Sequence, residues 1–75
     1  MTDSILKTAF ENIATHVSNL DSVRELIEDL DNQNESIDHI ISMLERRSEE
    51  AEVTLRTDIR ILINECLHLM RKMTN

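Results

Sequence analysis

Three histidines and one cysteine, His16, His39, His68 and Cys66, are the nitrogen and sulfur groups of this chain that could hold zinc. A zinc site needs four ligands, brought together by short spacings or by the fold. Cys66 and His68 lie two apart, about 200° around a helix axis at about 3.6 residues per turn, so one ion cannot sit between them. His16 and His39 would have to meet through the fold, and no pair has close ligand spacing. No metal site and no cofactor are therefore expected.

Oxygen chemistry fares little better. Asp29-Leu-Asp-Asn-Gln-Asn-Glu35 places oxygen ligands at alternating positions, as a calcium loop does. Asn34 stands where such a loop requires glycine, and Ile40 where it requires a bidentate glutamate, so calcium binding would be weak at most. Asn34-Glu-Ser36 has the form of a glycosylation triplet, which matters only in a secreted chain.

Nucleophilic catalysis would need Cys66 beside a histidine and an oxyanion site. The cysteine instead falls in the middle of an apolar helical stripe, where a small buried side chain with a raised thiol pKa is expected. Glycine is absent, so no phosphate-binding loop exists. No catalytic residue is expected, and the chain does not read as an enzyme. Arg46, Arg47, Arg56, Arg60, Arg71 and Lys72 are the bases that could form a stripe for nucleic acid, and the first four are those a dimeric regulator would use. Glu45, Glu49, Glu50, Glu52 and Asp58 are interspersed among them, which reads as a salt-bridged helix surface rather than a DNA-binding stripe.

The elements that must carry these side chains are all helical. Glycine, proline, tryptophan and tyrosine are absent and Phe10 is the one aromatic residue, which removes most turn formers and most of the residues that sheets favour. Thr2, Asp3 or Ser4 can cap a first helix over residues 3–19, with Leu6, Ala9, Phe10, Ile13, Val17 and Leu20 as a narrow apolar stripe. The stripe loses phase near residues 19–22. Ser22 and Glu25 then have the spacing of a capping box, so a second helix is expected over 22–31, with Val23, Leu26, Ile27 and Leu30 on its apolar face. Six polar residues, 31–36, form the one clear loop, and Asn34 or Ser36 can cap the next helix.

The third element is expected over residues 36–73. Its apolar positions recur every eleven residues, as in Ile37/Ser48/Ile59/Met70, Ile40/Ala51/Leu62/Met73 and Leu44/Leu55/Cys66, a spacing that keeps a nearly straight helix in register. Unbroken, it would be about 55 Å long at about 1.5 Å per residue. An interruption, if there is one, belongs at 47–57, where Ser48 and Ala51 thin the stripe and Thr54 or Thr57 could cap a new helix.

The fold class is thus all-α: one domain over residues 1–75, a helical hairpin or small bundle of two to four helices with a long C-terminal helix. The apolar arc widens from about 100° over residues 37–55 to about 160° over 59–73, and an arc that wide needs two or more neighbours. The shorter N-terminal helices cannot cover both ends of a helix of about 55 Å. A second copy of the chain is the simplest cover, which makes a homodimer the expectation. Its interface would hold Ile59, Leu62, Ile63, Cys66, Leu69, Met70 and Met73, and Leu62→Asp would dissolve it. Ile61 projects on the opposite side with no intramolecular explanation.

Charge adds a second surface. The net charge of −7 resides entirely before His39, and residues 25–38 contain Glu25, Glu28, Asp29, Asp31, Glu35 and Asp38 with no lysine or arginine. Such a patch disfavours nucleic acid and anionic membrane and favours a protein partner with a basic surface; its plainer use is to keep a small protein soluble. No apolar run approaches the roughly 20 residues a membrane span needs. Residues 1–4 lack the basic region of a signal peptide, and the lone cysteine suits a reducing compartment, so a cytoplasmic location is expected.

Ile41-Ser-Met-Leu-Glu-Arg-Arg-Ser48 resembles a stretch of the small helical connector proteins of enterobacterial two-component signalling, and the layout is similar to that of the helical co-chaperones of secretion needles. Neither likeness spans the chain, so no family is assigned on them. The functional expectation is a protein-binding regulator, adaptor or co-chaperone that works by helix-on-helix burial. The alternatives are an acidic mimic that blocks a DNA- or RNA-binding protein, and a small dimeric transcriptional regulator.

Overall fold

A computed structural model of the protein describes residues 5–31 and 36–73. They form α1 (Ile5–Ile13), one turn of 3-10 helix (Ala14–His16), α2 (Leu20–Asp31), α3 (Ile37–Glu50) and α4 (Val53–Met73), with no strand among them. None of these helices is long and apolar enough to cross a membrane. The all-α expectation is met, and the helices fall close to the expected stripes.

α4 is the element on which the others are assembled: α1, α2 and α3 each pack against it, and α1 also touches α2. Each helix contributes one face to a common core. Leu6, Ala9 and Ile13 come from α1, Val23, Ile27 and Leu30 from α2, Ile40, Ile41 and Leu44 from α3, and Ile59, Leu62, Ile63 and Cys66 from α4. These spacings of three, four and seven follow from about 3.6 residues per turn. Burial of the apolar faces is the dominant force holding so small a bundle together.

The third element is broken at Ala51–Glu52, inside the segment where the thinned stripe allows an interruption. Ala51 adopts extended backbone (φ −88°, ψ 158°), and α3 and α4 fold against each other. The molecule is accordingly 34 Å in its longest dimension, well short of the about 55 Å an unbroken helix would need.

Neither Thr54 nor Thr57 makes the corner. Thr57 Oγ1 donates within the new helix to the Val53 carbonyl at 3.1 Å. Arg56 closes the corner instead. Its Nε donates to the Ser48 carbonyl at 3.0 Å and its Nη2 to the Ala51 carbonyl at 3.2 Å. The Ser48 carbonyl also accepts from the Ala51 N–H at 3.3 Å, and both carbonyls lie at the end of α3, where a cation is electrostatically favoured. The backbone N–H of Arg56 meanwhile donates to the Glu52 carbonyl and starts α4. Ser48, the polar member of the eleven-residue register, is tolerated in its buried position because its Oγ donates to the Glu45 carbonyl at 2.6 Å.

The N-terminal half differs from expectation at the junction of its two helices. α1 ends at Ile13 rather than running to residue 19, and Val17 is extended. α2 then begins at Leu20, which places Ser22 inside the helix and leaves no capping box. Ser36 does cap α3, its Oγ accepting from the His39 N–H at 3.3 Å. Asn34 lies outside the described residues, as do Thr2, Asp3 and Ser4.

Candidate interaction surface

The wide arc of α4 is covered within the subunit. Leu62 and Cys66 are fully buried, Ile59 and Ile63 nearly so, and Leu69 and Met70 pack partly buried against the same core. Met73 is the last residue of α4, and its side chain is not described. The mismatch that calls for a second copy presupposes one long helix. Because the chain turns at Ala51–Glu52, α3 lies back along α4 and supplies the missing cover. Ile61 is likewise packed partly buried against the core instead of facing outward unpartnered. Among the described residues, the large apolar side chains left exposed are Val53, at 73 %, and Leu67, at 38 %.

Cys66 behaves as its place in the stripe predicts. Burial, with a smaller contribution from Glu65, pushes its thiol pKa up to about 11, which leaves it protonated and poorly nucleophilic near neutrality. His16, His39 and His68 are all exposed, and no group of metal-ligand type gathers among the described residues.

A surface feature with both apolar and charged character lies between α2 and α3. Both helices pack on α4, and the space between them is an open groove of about 740 Å³. Leu26, Ala51, Leu55 and the buried Ile59 form its floor, and Glu25, Glu28, Asp29 and Glu50 stand on its rim with Ser22 and Arg47. Half of the expected acidic patch thus converges on one place. Asp38 lies apart in the first turn of α3, Asp31 ends α2 with its side chain undescribed, and Glu35 lies outside the described residues.

The electrostatics of the groove are lopsided. Arg47 Nη2 stands 3.4 Å from Asp29 Oδ2, the one ion pair across it among the described residues. Within the same set, Glu25, Glu28 and Glu50 have no such partner. Four carboxylates against one arginine beside an apolar floor create a negative potential where an apolar side chain can also be sheltered.

The four arginines that a dimeric regulator would use on nucleic acid do not form a common stripe. Arg47 is turned to Asp29 and Arg56 to the end of α3. Arg56 and Arg60 line a second open groove, of about 680 Å³, together with Glu45 and Glu49.

Arg56 and Asp58 hold structural positions that the sequence pattern does not single out, since both read there as surface charges. Asp58 is 2 % exposed, and its carboxylate accepts from the Ser18 N–H at 3.1 and 3.2 Å, the Asn19 N–H at 2.8 Å and Asn19 Nδ2 at 3.0 Å. It therefore satisfies the polar backbone that leads into α2, at the end of that helix where negative charge is favoured. One signal is available in the sequence: Asp58 immediately precedes Ile59 and lies four residues before Leu62, on the border of the stripe.

Compared with known proteins, the chain matches no family model, no curated protein and no solved structure.

Proposed function

We propose that the protein is a small acidic protein-binding module, a regulator, adaptor or co-chaperone, whose groove between α2 and α3 receives a basic amphipathic helix of a partner protein. The observation that carries this reading is the conjunction of Leu26, Ala51 and Leu55 as floor with Glu25, Glu28 and Glu50 as a rim that has no ion-pair partner among the described residues. An amphipathic helix satisfies both: its apolar face displaces water from the floor while arginine or lysine on its border meets the carboxylates. The stretch of α2 that lines the groove, residues 22–29, is about two turns long and so matches a short helical segment. No second copy of the chain is required to complete this site.

The same carboxylates also suit the second reading, an acidic mimic that competes with nucleic acid for a basic protein. The two differ in what the floor does. Fluorescence anisotropy with a labelled amphipathic peptide, leucine on one face and arginine along its border, separates them. Saturable binding that is lost when serine replaces the peptide leucines, and weakened by Glu28→Lys, supports the groove. Equal binding of the serine peptide, abolished by salt, would transfer the case to the mimic.

A further inference from the structure

The groove already contains a cation of the kind its rim attracts. Arg47 projects from α3 into the groove lining, and its guanidinium meets Asp29 across the opening. The two side chains are 50 % and 59 % exposed, so the pair is held in a wet, screened environment and is easily exchanged. Among the described residues, Asp29 is also the one rim carboxylate with an ion-pair partner. A partner's arginine entering along the floor would therefore find three carboxylates open and one occupied.

Resting on the groove reading above, we infer that Arg47 is a resident stand-in for the partner's own basic side chain, a self-contact that must be exchanged before the partner seats. The chemistry of that exchange specifies the partner further. Its helix carries a guanidinium or ammonium that replaces Arg47 at Asp29, and an apolar side chain, within a turn of it, that lies over Leu26 and Leu55. A partner with apolar residues alone would leave the self-contact in place. One with bases alone would gain only an exposed ion pair in exchange for another, which is worth little. The self-contact thus selects for segments that are both basic and apolar.

Arg46 provides the control. It is the adjacent residue, exposed and of the same charge, but it does not line the groove. If Arg47 acts only by adding positive charge near the site, Arg46→Gln must also strengthen binding of the leucine-arginine peptide, and the gain from Arg47→Gln must not depend on Asp29. If Arg47 occupies the partner's place, Arg47→Gln alone tightens binding, by up to about fivefold, the equivalent of an exposed ion pair. Arg46→Gln then changes it by less than about twofold at physiological salt. In the Asp29→Asn background the gain from Arg47→Gln disappears, because there is no longer a shared carboxylate to compete for.

Anisotropy titrations of the full chain and these variants read all three. Equal effects of the two arginine substitutions, or a gain from Arg47→Gln that persists with Asp29→Asn, would overturn the stand-in role while leaving the groove intact. Absence of peptide binding by both the unaltered protein and Arg47→Gln would overturn the groove reading itself, and the stand-in role with it.

Discussion

Asp58, early in α4, is the acceptor for the backbone N–H of Asn19, thirty-nine residues before it, at 2.8 Å. With the bonds from Ser18 and from the Asn19 side chain, this one carboxylate fixes where α2 begins relative to α4. Removing it strands three part-buried donors at once. Asp58→Ala is expected to destabilise the fold by about 2–4 kcal/mol, and Asp58→Asn, which keeps one acceptor oxygen but brings an NH₂ against N–H groups, by somewhat less. Urea unfolding followed by circular dichroism measures both. A loss below about 0.5 kcal/mol, the scale of an ordinary surface substitution, would contradict the buried role.

Arg56 acts on carbonyl groups rather than on a carboxylate, so its loss should not depend strongly on salt. Arg56→Ala is expected to cost about 1 kcal/mol through the exposed end of α3. Arg56→Lys should recover only part of this, because a single ammonium on a flexible stem does not reproduce the planar fork that reaches both Ser48 and Ala51. Thermal melts in low and high salt test the pair of substitutions; a full rescue by lysine would mean that charge alone closes the corner.

Leu62 lies in the centre of the subunit. Leu62→Ala should therefore lower the stability of the fold itself, by about 2–5 kcal/mol, and Leu62→Asp should unfold the chain rather than convert a folded dimer into folded monomers. Sedimentation together with circular dichroism distinguishes these outcomes. A well-folded Leu62→Asp monomer would restore the reading of Leu62 as a contact between copies.

The buried thiol sets a pH dependence with a definite sign. Its pKa in the folded chain is raised from 9.0 to about 11, so the stability linked to Cys66 is fully present below about pH 9 and is lost as pH rises toward 11, where the unfolded chain releases its proton first. Stability measured across that interval should fall more steeply for the unaltered protein than for Cys66→Ala. Alkylation of the thiol at pH 8 should also be slow until denaturant is added. Identical slopes in the two proteins would remove Cys66 as the cause.

Apolar periodicity is enough to identify most of the core. Leu6, Ile13, Ile27, Leu44, Leu62 and Cys66 all stand on stripes that three- and four-residue spacing reveals, and their burial requires no special chemistry. The chain reversal is harder to place, because the eleven-residue register runs through Ser48, Ala51 and Leu55 without glycine or proline to interrupt it. The turn is closed by the packing of α3 on α4 and by the Arg56 side chain reaching back eight residues to Ser48, contacts that exist only once the turn has formed. Asp58 is hidden for a similar reason: an aspartate on a helix reads as solvated until the tertiary fold brings unsatisfied N–H groups to it. The candidate groove shows the same division. Glu25, Glu28 and Asp29 are visible as a charge run, but the floor of Ala51 and Leu55 becomes part of the same place only through the reversal between α3 and α4.

The packing of α1 and α2 on α4 also dictates an order of events during synthesis. Their anchors, the Asp58 carboxylate and the apolar face around Leu62, leave the ribosome after them, so the two N-terminal helices emerge with only each other to dock against. Native structure is then acquired late and nearly all at once. A nascent chain stalled before Val53 would be a substrate for chaperones and proteases rather than a partly working bundle.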